Sequence, residues 1–332
     1  MKKVLVLGAT GAIGFYLVPE LAKMGYIVDA VSLDDPPYDV PNVTYYKFNA
    51  KDDNELFRFI ADKKYDAILD LMLYLTAELE SRYMKLLDST AHYLFFSSYR
   101  VYANEETPIK ETSPRLLDVS TDKVFLASEK TKYALYKARE ENLLRASGRN
   151  NYTILRPTMV FSRYRYQLVG LEAPTFLYLA QEGYKVPLPE NAMKLNAAMI
   201  CSEDAAKLIS RLALNEKAYG EAFTVGSAEL HSWSDVADYY AEAVGLEYFT
   251  VDQKKFDTFI TSIEEGWLYD HLYDRYFDRR IDNSKILTAT GISQNELTPL
   301  FECLVRELHL IPKDFKWTPY ERTLKMIDFF GL

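Results

Sequence analysis

Gly8-Ala9-Thr10-Gly11-Ala12-Ile13-Gly14 follows the apolar run Lys3-Val4-Leu5-Val6-Leu7 and opens a helical pattern over residues 13–24. A short strand, a glycine-rich turn and a helix, in that order, make a phosphate-binding unit. The first glycine permits the tight turn, the second lets a pyrophosphate approach the backbone, and the third lets helix and strand pack closely. The helix start adds unpaired N–H groups and a positive dipole end. The motif therefore predicts dinucleotide binding through Gly8, Thr10, Gly11, Ala12, Ile13 and Gly14.

Outward from that turn, apolar runs at 27–33, 43–48, 67–71, 93–97 and 152–156 alternate with helical patterns near 53–62, 77–89 and 130–147. Such alternation is the signature of βαβ units with a parallel sheet and helices on both faces. The expected fold is α/β, a doubly wound Rossmann sheet with a smaller, mostly helical C-terminal substrate domain. Residues 1–162 form the first domain, with a return around 197–230. Residues 163–196 and 231–332 form the second, and segments 163–166 and 187–196 read as loops. The second strand should end beside the adenosine ribose. Ser32 and Asp34 stand there, Asn49 follows the third strand as a further cofactor contact, and no Lys or Arg occurs between Lys23 and Lys47. That pattern favours NAD, with NADP as the alternative, because a 2′-phosphate calls for a cation.

The chain has 332 residues, 48% hydrophobic and 26% charged, and a formal charge of −9, so it can bury a core and gives no general attraction to nucleic acid or anionic membrane. Its apolar start is too short for a signal peptide, and the stretch 67–77 is interrupted by Asp70. A soluble, cytoplasmic protein is expected. Cys201 and Cys303 form no disulfide framework and fit a reducing compartment. The four histidines lack metal-ligand spacing, so no metal is expected.

Tyr133 and Lys137 lie four apart in a helical pattern and so share one face. An ammonium beside a phenol favours phenolate, which suits general acid–base work on a hydroxyl. Upstream, Ser97-Ser98-Tyr99-Arg100-Val101-Tyr102 ends a strand, where ligands bind in parallel sheets. With Pro108-Ile109-Lys110-Glu111-Thr112-Ser113-Pro114 and Leu155-Arg156-Pro157, these segments resemble the extended short-chain dehydrogenase/reductases, the NAD-dependent epimerase/dehydratase family. The resemblance implies Ser98, Tyr133 and Lys137 as the catalytic set, Tyr133 and Lys137 also meeting the cofactor. It implies a nucleotide-linked sugar as substrate, turned over by hydride transfer with Tyr133 as acid/base. It also implies a homodimer through the helices at 77–89 and 130–147.

Four departures from the family bear on substrate. Asp70-Leu71-Met72-Leu73-Tyr74 replaces a small Ala-Gly pair, and Tyr99-Arg100 replaces the dehydratases' Asp-Glu. The loop from Pro114 to Tyr133 is longer, and Ala197 and Cys201 stand where a phosphate-binding arginine and a histidine are usual. Arg163, Arg165, Arg275 and Arg279 are the replacements expected to hold substrate phosphate, with Tyr99 beside them. Two alternatives stand beside the epimerase. One is an NADPH-dependent reductase of a keto-sugar or other carbonyl; the other is a non-catalytic nucleotide- or RNA-binding protein, as in the chloroplast stem-loop RNA-binding group.

Overall fold

A computed structural model describes all residues except 37–38, 62 and 128–131, and the side chain of Glu265. Seven strands form one sheet: β1 (Lys3–Leu7), β2 (Ile27–Ser32), β3 (Val43–Lys47), β4 (Tyr65–Asp70), β5 (Thr90–Phe96), β6 (Tyr152–Pro157) and β7 (Glu221–Val225). The order is β7-β6-β5-β4-β1-β2-β3 and every pairing is parallel. Val4, Leu5, Val6, Leu7, Ala67, Ile68 and Leu69 are wholly buried, which is why these strands read as continuous apolar runs rather than alternating ones. Helix α1 (Gly14–Lys23) covers one face together with α4 (Ser202–Ser210), through Leu17, Val18, Leu21, Leu208 and Ile209. Helix α2 (Asp53–Ala61) covers the other, through Leu56 and Ile60. The fold class is a Rossmann-like α/β sheet.

The order reverses between β1 and β4, so the crevice outside their carboxyl ends is where a ligand enters such a sheet. Gly8 leaves β1 there and Leu71 leaves β4. Beyond β6, strand Met159–Phe161 pairs in parallel with Met199–Cys201. Side chains alternate across this ladder. Val160 and Ile200 enter the sheet-side core, whereas Met159, Phe161, Met199 and Cys201 enter a second core with Trp233 and Tyr240 of helix α5 (Trp233–Val244), Phe256 and Leu304. The ladder is thus the wall between the two halves. Ile286, Ile292 and Leu297 pack on the α1 side of the sheet, so residues near 284–297 return to the first half.

Several expectations from sequence need correction. The helix expected over 77–89 is two short ones, Thr76–Glu80 and Tyr83–Asp88. Arg82 breaks it: its guanidinium is buried, donates to the Ala50 and Lys51 carbonyls at 3.2 and 2.7 Å, and pairs with Asp53 at 3.0 Å. The stretch 187–196 is not all loop, because Val186–Pro189 pairs with Tyr248–Val251. The helix α3 carrying the Tyr-Lys pair spans Tyr133–Ala146, and residues 130–131, expected at its start, lie outside the described residues.

The cysteines, read as unpaired, form a disulfide between Cys201 and Cys303. They are 102 residues apart. Only the packing of helix α6 (Leu300–His309) on the Met199–Cys201 strand brings them together. Both sulfurs lie close to the Glu307 carboxylate. Among the described residues no helix is long and apolar enough to cross a membrane.

Candidate functional site

Two adjoining cavities open at the carboxyl ends of the strands. The first, about 320 Å³, is lined by Thr10, Gly11, Ala12, Asp34 and Asp35 on the phosphate-loop side. Gly8 has φ +80°, in the left-handed region that glycine enters freely. A Cβ at Gly14 would lie 2.5 Å from the Ala9 carbonyl oxygen, so only glycine lets α1 sit this close to the turn. Among the described residues, the amides of Thr10, Ala12 and Ile13 have no hydrogen-bond partner in the fold. They are free to donate to an anion. Thr10 Oγ1 donates to Asp34 Oδ2 at 3.2 Å, and Ser32 Oγ donates to the Asp34 carbonyl at 2.7 Å. These contacts hold the Asp34 carboxylate beside the loop. Asn49 does not line either cavity; its Oδ1 accepts from the Lys51 amide at 3.0 Å. Lys47 pairs with Asp35 at 2.7 Å because it stands opposite Ser32 in the β2–β3 register. A scan along the chain from Lys23 does not reveal that proximity.

The second cavity, about 380 Å³, is lined by Ile13 from the phosphate loop, Leu71–Leu73 after β4, Ser98 after β5, and Tyr133 and Lys137 from α3. Ser98, Tyr133 and Lys137 are thus brought to one cleft. Ser98 lies two residues beyond β5 and caps a single turn at Tyr99–Val101, its Oγ accepting from the Arg100 amide at 3.2 Å. The Arg100 guanidinium lies 5.1 Å from the Tyr133 ring centre. Lys137 is buried, donates to Glu140 Oε2 at 2.9 Å, and sits 4.8 Å from the Phe95 ring centre. Burial pushes Glu140 up to about 7, against the pull of the Lys137 ammonium. Asp70, also buried, is raised by desolvation although Tyr93, Tyr74 and the Met72 amide donate to it. The bulky segment after β4 forms part of the cleft wall, and Met72 and Leu71 stand in van der Waals contact with the position a Gly8 Cβ would take.

Behind the cleft, Asp274 gathers cations. Tyr99 Oη donates to its Oδ2 at 3.1 Å, Arg279 Nε to its Oδ1 at 3.2 Å, and Arg275 also pairs with it. Burial would raise this carboxyl, yet Arg275, Arg279 and Arg100 hold it below the usual range. Arg275 and Tyr99 line the cleft. Arg279 does not: it is buried and donates to the Tyr102 and Ala103 carbonyls at 3.1 and 3.3 Å. Arg165 lines both cavities and Arg163 only the first. Two residues that sequence reasoning missed, Glu140 and Asp70, are buried carboxylates beside Lys137. The one usable signal was Glu140 itself, an acid on the same helical turn as Lys137.

A third buried network braces the floor. Glu141 accepts from Arg156 Nε and Nη2 at 2.8 and 2.6 Å and from Ser97 Oγ at 2.6 Å. It ties α3 to β6 and to Ser97 just after β5, so the helix bearing Tyr133 is set against the segment that carries Ser98.

The comparisons agree with this architecture. The enzyme WbmH of Bordetella bronchiseptica, solved in complex with NAD+, superposes with a TM-score of 0.68 at 18% identity, over 93% of this chain and 98% of that one. The UDP-glucose-4-epimerase of Stenotrophomonas maltophila, solved with NAD and formylated UDP-arabinopyranose, gives 0.68 at 16% identity, over 93% and 97%. The dTDP-glucose 4,6-dehydratase of Bacillus anthracis, in complex with NAD, gives 0.66 at 16% identity, over 93% and 96%. At such identities the likeness is one of fold. No curated protein matches the sequence. The family model for NAD dependent epimerases and dehydratases matches residues 4–226, from the first strand through β7 and so across the whole sheet that carries both cavities. This chain belongs to the NAD dependent epimerase/dehydratase family.

Proposed function

We propose that the protein is an NAD-dependent epimerase of a nucleotide-linked sugar, with Tyr133 as the acid/base. The observation that carries this reading is the meeting of Ser98, Tyr133 and Lys137 with Ile13 of the phosphate loop in one cavity. The phosphate loop fits a dinucleotide: the Gly14 cradle excludes any Cβ, three amides are unpaired among the described residues, and Asp34 stands where a ribose hydroxyl can donate. Bound NAD would supply reversible two-electron oxidation at a sugar carbon. Tyr133 removes the proton of the hydroxyl on that carbon and later returns it. Ser98 Oγ hydrogen-bonds the same oxygen, and Lys137, one helical turn on from Tyr133, brings its side chain into the same cleft. Arg275, with Tyr99, lines the wall where the sugar nucleotide lies.

Tyr99 and Arg100 occupy the positions from which a dehydratase would use an acid pair, which favours epimerisation over water elimination. We place the protein in the cytoplasm, where the Cys201–Cys303 bond would stand as an exception to the usual reduction of thiols, and as a homodimer with no nucleic-acid partner. Size-exclusion with light scattering tests the dimer, and alkylation of free thiols in intact cells tests the compartment.

Denaturing release of nucleotide from freshly purified protein, identified by mass, is the first test. Retained NAD supports the epimerase. An empty site that takes NADPH in preference to NADH makes the protein a reductase of a keto-sugar or related carbonyl. Absence of binding to either overturns the proposal. With a panel of UDP- and dTDP-sugars, Tyr133→Phe is expected to abolish turnover while NAD affinity stays within about twofold; equal loss of both makes Tyr133 structural.

A further inference from the structure

Ser162, Arg163, Tyr164 and Arg165 form a two-residue hairpin. The Ser162 amide donates to the Arg165 carbonyl at 3.2 Å, and the Arg165 amide returns to Ser162 at 2.9 Å. Tyr164 takes φ +65° at the tip. The hairpin supplies the wall of the first cavity that faces Thr10, Gly11 and Ala12. From sequence its two arginines are expected to hold substrate phosphate. Their placement argues otherwise.

Most cations around the cleft are already committed. Arg100, Arg275 and Arg279 share Asp274, and Arg156 is locked to Glu141. Arg163 and Arg165 are exposed, and among the described residues their guanidinium groups make no ion pair or hydrogen bond. Arg163 instead stacks, 5.0 Å from the Phe15 ring centre and 5.3 Å from that of Tyr164. Stacking orients the planar fork while leaving its N–H edges available.

The hairpin is also fixed relative to the phosphate loop. Glu307, buried on α6, accepts from Tyr16 Oη on α1 at 2.6 Å with one oxygen and from the Arg163 amide at 3.0 Å with the other. One carboxylate therefore ties the arginine hairpin to the helix that the phosphate loop opens. Because Arg165 lines both cavities, the hairpin stands at their junction. A molecule running from Asp34 to Tyr133 must cross there, and in a dinucleotide the group midway between its two ribosides is the diphosphate.

We propose that Arg163 and Arg165 form the second wall of the diphosphate site of the dinucleotide, opposite the Thr10–Ala12 turn, and that substrate phosphate is held elsewhere. The inference rests on the reading of the first cavity as a dinucleotide groove. The recognised chemistry is a diphosphate diester, gripped by loop amides on one side and guanidinium forks on the other. The Asp34 carboxylate at the ribose end would repel a further phosphate, so the pair serves the bridging diphosphate and not a 2′-phosphate.

Titration calorimetry of NAD, ADP-ribose, NADP and UDP against the full-length protein, Arg163→Ala, Arg165→Ala and Arg163→Lys tests this. Both alanine variants should weaken NAD and ADP-ribose roughly ten- to hundredfold, with a shallower dependence on salt. Arg163→Lys should recover part of the loss, because charge returns without the fork. UDP affinity should stay within about twofold for Arg163→Ala. Unchanged NAD affinity in both alanine variants overturns the proposal. Selective loss of UDP also overturns it and returns the pair to the substrate, while selective loss of NADP reassigns it to a 2′-phosphate. Failure of the unmodified protein to bind any dinucleotide defeats the groove reading itself, a result distinct from a variant that binds normally. Both side chains are exposed, and unchanged thermal unfolding of the variants serves as the folding control.

Discussion

Glu140 lies three residues beyond Lys137 on α3, fully buried, with one carboxylate oxygen on the lysine and the other without a hydrogen-bond partner. Its value of about 7 in the folded chain, against 4.5 ordinarily, means that the native state binds its proton more tightly than the unfolded chain. Stability from this group is therefore complete below about pH 4.5, declines as pH rises through about 7, and is level above that. The expected loss is about 3 kcal/mol. Urea unfolding at pH 5 and pH 8 should show this decline in the native protein and a smaller one in Glu140→Gln. Parallel declines in the two would show that Glu140 does not carry the effect. At this scale the sequence made Ser98, Tyr133 and Lys137 legible, because a strand end and a helical spacing of four are local facts. Glu140 and Asp70 were not legible as neighbours of the lysine, since strand burial brings Asp70 to α3 across many intervening residues.

The turn from β1 into α1 separates two roles of glycine. At Gly14 a Cβ would meet the Ala9 carbonyl oxygen at 2.5 Å and the Gly8 carbonyl oxygen at 2.6 Å, backbone atoms that cannot swing aside. Gly14→Ala should lower stability by about 1–3 kcal/mol and weaken NAD binding with it. At Gly11 an added Cβ would have only the Gly8 carbonyl oxygen, at 3.4 Å, and would otherwise point into open space. Gly11→Ala should therefore weaken NAD binding while the melting temperature hardly moves. Thermal unfolding alongside NAD titration distinguishes them, and equal melting temperatures for the two variants would refute the assignment. Elements built on repeating apolar runs were readable, as β1, β2, β4, β5 and β6 attest. The break at Arg82 was not, because the carbonyls it satisfies belong to Ala50 and Lys51, remote in sequence. Nor was the strand Val186–Pro189, whose two prolines argue against a ladder that its pairing with Tyr248–Val251 nevertheless forms.

At the scale of the whole molecule, the Cys201–Cys303 bond and the Glu307 carboxylate fasten α6 to the ladder between the two cores and to α1. Cross-linking residues this far apart restricts the unfolded chain, and its removal should cost about 2–4 kcal/mol. Chemical denaturation with and without reductant, repeated on Cys303→Ser, measures this. A reductant effect that persists in the variant would mean the bond is not its origin. By itself the sequence determined the sheet, the glycine-rich turn, the three residues Ser98, Tyr133 and Lys137 that meet in one cleft, and the family, because each is written in short-range periodicity or in motifs that fold locally. The tertiary structure alone decided the pairing of the cysteines, the burial of Arg279 away from the cleft, the approach of Lys47 to Asp35, and the seating of the Arg163 hairpin across from the phosphate loop. The physical reason is common to all four. Each depends on segments from 12 to 177 residues apart being packed side by side, and the apolar cores that press them together leave no trace in the spacing of the polar residues they carry.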